Sequence, residues 1–564
     1  MNTFVFFRLA CFTILFYNMK RPCKSFDTPA YAALLQARQG NVHRAFHLAR
    51  RSVTEAGSTI KNKYERMKIS FIIIVLLFCG SCLSAQKVFD FNPDCQKAYQ
   101  EILKLRIVSG QALINLEKKK NPDNLIPYLL ENYIDFFILF FNEDPAEYKK
   151  RSGNREKRLD LLSEGPEDSP WYLFSKAVVH FHWAVVRIKF GYNWDAGWEF
   201  RHSFIQVRDN GKKHSAFLPN QLYQGAMQVA AGTIPDGYKW LSNLLGIRGS
   251  IQSGMQQLKS FLNSPDPFAK LYHDEAVFYY CYLSYYIEND KKGVLQFIRD
   301  QNLDLKNNHL FAYLASNLSI HNYQAESALE ILQNKNNSQV YLQTPVWDLE
   351  QGYILLYIGS SEAAGYLERF AFDFKGKYYV KDALQKISWY YYLQDDRQKA
   401  DYFRQQILKR GTSNSEADKQ AQDEAVTAQW PNKLLLRARL YSDGGYYSEA
   451  LRLLHGKSAN DFATPEEKLE FNYRVGRIYD EVGRDPEALA FYRRTIDQGK
   501  TRHEYYASRA ALQIAFIYEE QRQHKTALTW FQTCVNMKDH EFKNSIDQRA
   551  KAGIDRCNTA LKAR

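Results

Sequence analysis

Leu512–Phe531 reads LQIAFIYEEQRQHKTALTWF, and Val475–Tyr492 reads VGRIYDEVGRDPEALAFY in the same key. In each a Tyr precedes an Ala by nine residues: Tyr518 and Ala527, Tyr479 and Ala488, and once more upstream, Tyr441 and Ala450. A small residue (Ala515, Gly476, Ala438) stands three before each Tyr, and a bulky one (Phe531, Tyr492, Leu454) four after each Ala. Intervals of three and four place these side chains on one face of a helix. The polar run between the two apolar stretches is a turn. The unit is a helical hairpin, repeated three times between Leu434 and Asp539.

This pattern resembles the tetratricopeptide repeat, where small residues mark the helix contact and large ones fill the groove beside it. The Tyr-to-Tyr spacing is 38 and then 39 residues, against about 34 in the family's unit, so each hairpin carries a few extra residues. The family's Pro at the end of the second helix is missing, and its early Trp is replaced by Leu434, Asn472 and Ala511. The resemblance implies an all-α fold, a right-handed helical-hairpin solenoid of TPR type. One hairpin cannot bury its own apolar face, so neighbours must stack. Ser545 to Ala563, with Ile546, Ala550, Ile554, Cys557 and Leu561 on one face, suits a closing cap.

The start of the chain reads differently. Met67-Lys68, an apolar run from Ile69 to Phe78, and Leu83-Ser84-Ala85-Gln86 predict a signal peptide over 67–85. Residues 1–66 are then a leader or an upstream extension. The run is short for a membrane span. Residues 1–85 hold 12 Lys and Arg and 3 Asp and Glu, which leaves 63 bases against 59 acids from Gln86 onward, a net of +4. A nucleic-acid-binding reading based on bulk charge therefore loses most of its support. Cys79 and Cys82 fall within the signal, where Cys82 only partly fits a lipidation site. Cys95, Cys281, Cys534 and Cys557 remain, and Cys534 with Cys557 is either a bridge or, as favoured, two buried thiols.

The remaining chain divides into an N-terminal helical region (86–169), degenerate hairpins (170–410), a polar linker or solvated helix (411–431), and the clear array with its capping helix (432–564). Asp94–Glu117 reads as one helix, Asn124–Phe141 as a second that is apolar nearly all round and hence buried, and Lys149–Asp168 as a charged connection. Phe190-Gly191 with Ala196 and Phe200, then Gly352, Gly359 and Ala364, then Ser388, Tyr391 and Ala400 hold decayed repeat positions. Phe217 to Met255 is punctuated by glycines 225, 232, 237, 246, 249 and 254. About forty residues here resemble a segment of the eukaryotic inclusion-body-clearance repeat proteins. Close helix crossings at Gly explain the same glycines.

No spacing that chemistry requires is present: no G-x-S-x-G, phosphate loop or H-E-x-x-H. His180 and His182 lie two apart and point to different helix faces. No catalysis, cofactor or metal is expected. In the repeat family the first helix of each hairpin lines the concave side, which places Arg439, Tyr473, Arg477, Asp480, Arg509, Phe516 and Glu519 toward a groove. Arg and aromatic side chains are what protein interfaces favour. The expectation is an exported scaffold that binds a protein or peptide in that groove. It would be periplasmic or peripheral to the outer membrane, with no nucleic-acid partner. Two alternatives stay open: an outer-membrane glycan- or nutrient-binding protein resembling the SusD-like family, and an intracellular scaffold.

Overall fold

A computed structural model describes residues 86–234, 246–427 and 429–562. The expected leader, signal peptide, lipidation site and Gly237 lie outside these residues. Among them the sole β pairing is an isolated bridge between Val88 and Asn124, and everything else regular is helix.

From Pro170 onward the helices pair antiparallel. Pro170–Lys189 packs on Asn193–Lys213, His309–His321 on Ala325–Asn334, Val346–Tyr357 on Ala363–Asp373, and Val380–Leu393 on Arg397–Lys409. The clear array follows as Lys433–Gly444 with Tyr447–Leu454, Pro465–Glu481 with Asp485–Gly499, and Tyr506–Glu520 with His524–Asn536. Lys543–Lys562 closes it with Ile546, Ala550 and Cys557 buried.

One register runs through all seven of these hairpins. At the turn a residue adopts the left-handed conformation: Gly191 (φ 85°), Tyr323 (58°), Gly359 (77°), Asp395 (63°), Gly445 (87°), Gly483 (76°) and Arg522 (59°). The N–H of the next residue donates to the carbonyl five back, on Arg187, Ser319, Leu355, Tyr391, Tyr441, Tyr479 and Tyr518, at 2.8–3.0 Å. That bond satisfies an end-of-helix carbonyl in the Schellman manner. Three residues before each of these carbonyls stands Ala184, Ser316, Gly352, Ser388, Ala438, Gly476 or Ala515; nine after stands Ala196, Ala328, Ala364, Ala400, Ala450, Ala488 or Ala527, and every one of these alanines is buried. The small residues let the helices touch: a Cβ at Gly476 would lie 2.9 Å from Tyr492 Cδ1.

Three expectations are corrected. Residues 94–117 form two helices, Pro93–Leu103 and Ile107–Lys120, broken at left-handed Leu105 (φ 60°). The break frees carbonyls for a later hairpin: Lys104 accepts from His309 N at 3.3 Å and Leu105 from Leu342 N at 2.8 Å. The charged stretch after 149 is two short helices, Pro145–Arg151 and Asn154–Leu162. They are held because Arg151, Asn154 and Arg158 converge on the buried carboxylate of Asp135. Residues 411–431, expected as a linker or a solvated helix, contain the helix Glu416–Thr427, packed through buried Ala417, Asp418, Ala421 and Ala425.

Glycines 225 and 254 do mark a close crossing, since a Cβ on Gly254 would sit 2.5 Å from the Gly225 carbonyl oxygen. Ile126–Asn142 is buried on most sides. Among the described residues no helix is long and apolar enough to cross a membrane. Cys95, Cys281, Cys534 and Cys557 are buried free thiols, and burial pushes Cys534 up to about 12 and Cys557 up to about 11.

The superhelix folds back on itself. Tyr378 OH donates to Ile188 O at 3.4 Å, Thr344 Oγ1 to Phe141 O at 3.2 Å, and Lys292 pairs with Glu520 at 3.2 Å. At Gly445 a Cβ would stand 2.0 Å from Tyr323 O, so no other residue fits this close approach of successive turns.

Candidate functional site: the lumen of the superhelix

The coil encloses a cavity of about 130 Å³. Most of its wall comes from the first helices of six successive hairpins. Tyr313, Asn317 and His321 come from the first, Glu350, Tyr353 and Tyr357 from the second, and Asp382 and Lys386 from the third. Arg439 and Asp443 follow, then Tyr473, Arg474 and Arg477, and last Arg509. Counted from the turn-closing carbonyl of each hairpin, most of these positions are nine, six, five or two before it, or two after. That is one helical face, so a single register points each hairpin's side chains inward.

The N-terminal half of the wall holds its charges in pairs. Glu143 accepts from Lys189, whose ammonium burial pushes down, and from the Lys377 backbone at 3.3 Å. Asp382 accepts from Tyr353 OH, and from Lys386 Nζ at 3.0 Å. Among the described residues no cation bonds to Glu350; it accepts from Ser316 Oγ, and from Asn317 Nδ2 at 3.1 Å, and burial pushes it up to about 8. Burial thus favours its protonated form.

The C-terminal half is dominated by guanidinium groups. Arg439 lies 3.6 Å from Asp443 and over the Trp389 ring. Arg477 donates to Asp480 at 3.1 Å and to Glu481. Arg474 donates through Nε to Glu470 at 3.1 Å; its Nη2 lies 3.0 Å from the same oxygen but off the donor direction, and has no hydrogen-bond partner. Arg509 packs over Tyr505, its Nε is buried without a partner, and no carboxylate among the described residues pairs with it.

Of the residues expected to face a groove, Arg439, Tyr473, Arg477 and Arg509 line this cavity together. The other three lie off it. Asp480 joins helices by accepting from Tyr492 OH at 2.7 Å and Gln513 Nε2 at 3.1 Å. Phe516 packs edge-on against Phe531, and Glu519 is clamped by both donors of Arg556 at 2.8 and 2.7 Å. Phe516 therefore serves the contact inside its own hairpin, and Glu519 the contact with the capping helix. Sequence reasoning missed Arg474 and the whole upstream wall; the signal was the same register in hairpins that lack the Tyr key.

His180 and His182 do not converge. His180 Nδ1 meets Glu199 at 2.6 Å and His182 Nδ1 meets Asn132 at 2.9 Å. No group of three potential metal ligands occurs among the described residues.

No family model and no curated protein matches the chain. Among solved structures it is similar to the TPR domain of P58(IPK), at 14% identity, covering 74% of this chain and 96% of that one, with a TM-score of 0.21. The overlay carries no argument at that score. Seven hairpins of this chain share one register, which is similar to that of tetratricopeptide repeats. The hairpin array is clear from Lys433 and extends, in diverged form, back to Pro170. Its lumen is walled mostly by first helices.

Proposed function

We propose that this TPR solenoid is a non-catalytic scaffold that docks a partner protein through the lumen and its rim. The observation that supports the reading is the continuity of the inner wall. Five of the six hairpins present an Arg or a Tyr side chain on one face, and these carry much of the energy in protein interfaces because they combine area with oriented hydrogen bonds. A space of about 130 Å³ takes one or two anchoring groups and not a whole helix, so the partner's remaining contacts lie along the rim. Arg439, Tyr473, Arg477 and Arg509 are the groups proposed to meet the anchor. Asp480, Phe516 and Glu519 support the wall from behind.

The site of action proposed is the cell envelope, after cleavage near Ala85-Gln86. The support is the order basic, apolar, small residue in 67–85. The near-neutral balance beyond Gln86 favours a protein partner over nucleic acid. Peripheral association with the outer membrane belongs to the same proposal.

A photo-crosslinking residue at Tyr473 in the native host tests the docking. A discrete adduct that disappears on Arg477→Ala while the fold persists is expected. Adducts formed equally from an exposed outer position such as Tyr402, with none from Tyr473, would sink the lumen reading. The N-terminus of the purified protein tests export: Gln86 is expected, and Met1 would refute it.

A further inference from the structure

We propose that the lumen end walled by Arg439, Arg474, Arg477 and Arg509 is a binding site for a phosphate group. This goes beyond the scaffold reading and does not rest on it. Four guanidinium groups from three helices line one enclosed space; among the described residues that line that end Asp443 is the one carboxylate, while Glu470, Asp480 and Glu481 meet Arg474 and Arg477 from behind the lining. The other three acids of the lining lie toward the opposite half, where Glu143 and Asp382 are taken up by Lys189 and Lys386 and Glu350 accepts from Ser316 and Asn317.

Carboxylates of the protein engage Arg439, Arg474 and Arg477, but they do not take up every donor. Arg474 is 9% exposed, and its Nη2, though 3.0 Å from Glu470 Oε1, has no hydrogen-bond partner among the described residues; Arg509 leaves Nε unpartnered and pairs with no acid among the same residues. Orphaned donors on buried cations are costly unless something accepts from them. The crowding is felt nearby. Burial and the charges of Arg549, Arg477 and Arg509, opposed by Glu481, push Lys291 down to about 8. An excess of positive charge behind low-dielectric walls concentrates anions.

The chemistry selects the anion. Arg presents a planar fork that bonds two oxygens at once, and several forks converging from different helices suit a tetrahedral dianion better than a planar monoanion. Apolar cavities of about 150 Å³ hold benzene, so about 130 Å³ accommodates a phosphate and the first atoms of whatever carries it. Tyr473 and Tyr505 line the same end and would flank that carrier.

Titration calorimetry of the full chain with inorganic phosphate, at fixed ionic strength, is the test. Saturable binding is expected, weakened roughly tenfold by R509Q or R474Q because a bidentate charged contact is lost. R437Q, at an exposed position outside this cavity, should bind as the parent does. R509K keeps the charge without the fork and should lose several-fold; it carries the decision if R509Q does not fold. Phosphate that fails to saturate, or binds R509Q and R509K as tightly as the parent, overturns the proposal. Acetate binding as tightly as phosphate overturns it too, because the site would then be a carboxylate site. Phenyl phosphate run beside inorganic phosphate tells ester from free anion, and either order of affinity upholds the site.

Discussion

Glu350 shows how the lumen couples to pH. It is 2% exposed, and its carboxyl is pushed from an ordinary value of 4.5 up to about 8 by burial, against the pull of Ser316, Asn317 and Lys335. The folded state therefore holds this proton more tightly than the unfolded chain does. Its contribution to stability is complete below about 4.5 and is lost as pH rises through about 8. The slope is on the order of 1.4 kcal/mol per pH unit between those values. Glu350→Gln should flatten that part of the stability–pH curve, measured by denaturant unfolding from pH 5 to 9. An unchanged slope would place the titration elsewhere. Backbone conformation can be tested at the same scale. Arg522 spends a left-handed φ at an exposed turn, and Arg522→Gly should raise stability by about 0.5–1 kcal/mol. Gly445→Ala should do the reverse more severely, since the added methyl meets Tyr323 O.

At the level of elements, the helix Glu416–Thr427 earns its place through one side chain. Asp418 accepts from Tyr379 N at 2.8 Å, Lys381 N at 3.0 Å and Asp382 N at 3.1 Å, capping the start of Val380–Leu393 from outside that helix. Asp418→Ala strands these donors and should cost about 2–4 kcal/mol, seen as faster hydrogen exchange over residues 380–386. Exchange unchanged there would show that the cap is idle. The composition of 411–431 concealed this. Ser, Asp and Gln read as solvated because a capping carboxylate and a surface one look alike in sequence, and only the partner helix 35 or so positions away tells them apart. The hairpins were legible wherever the key residue is Tyr. At Arg187, Ser319 and Leu355 the same position is held through its backbone carbonyl, which any side chain can offer, and Tyr323, Asp395 and Arg522 stand where Gly would have announced the turn. The small residues three before and the alanines nine after were in the sequence all along. The break at Leu105 and the two short helices gathered on Asp135 were not readable, because each answers a contact with another segment. The candidate site was half legible for the same reason: its C-terminal arginines sit in clear repeats, while Glu350, Asp382 and Tyr353 sit in diverged ones.

Across the whole molecule, repeat arrays ordinarily touch only their neighbours, but here successive turns also meet. Gly444 and Gly445 press on Tyr357 and Tyr323, and Lys292 reaches Glu520. A chain ending after residue 432 should therefore keep its hairpins yet lose protection along 309–357. Amide exchange there should quicken and an apolar dye should bind. A truncated chain with native exchange over 309–357 would show that the turns do not support one another.

The same meeting of turns bears on how the chain is made. Synthesis delivers Tyr313, Tyr353 and Tyr357 well before Lys433–Gly444 and Pro465–Glu481, the helices that cover them. For the time needed to add more than a hundred residues, at roughly 5–20 per second, an aromatic face stands open to whatever is nearby. The nascent protein is most vulnerable to wrong association in that interval of seconds, and the glycine pair at 444–445 is where it ends.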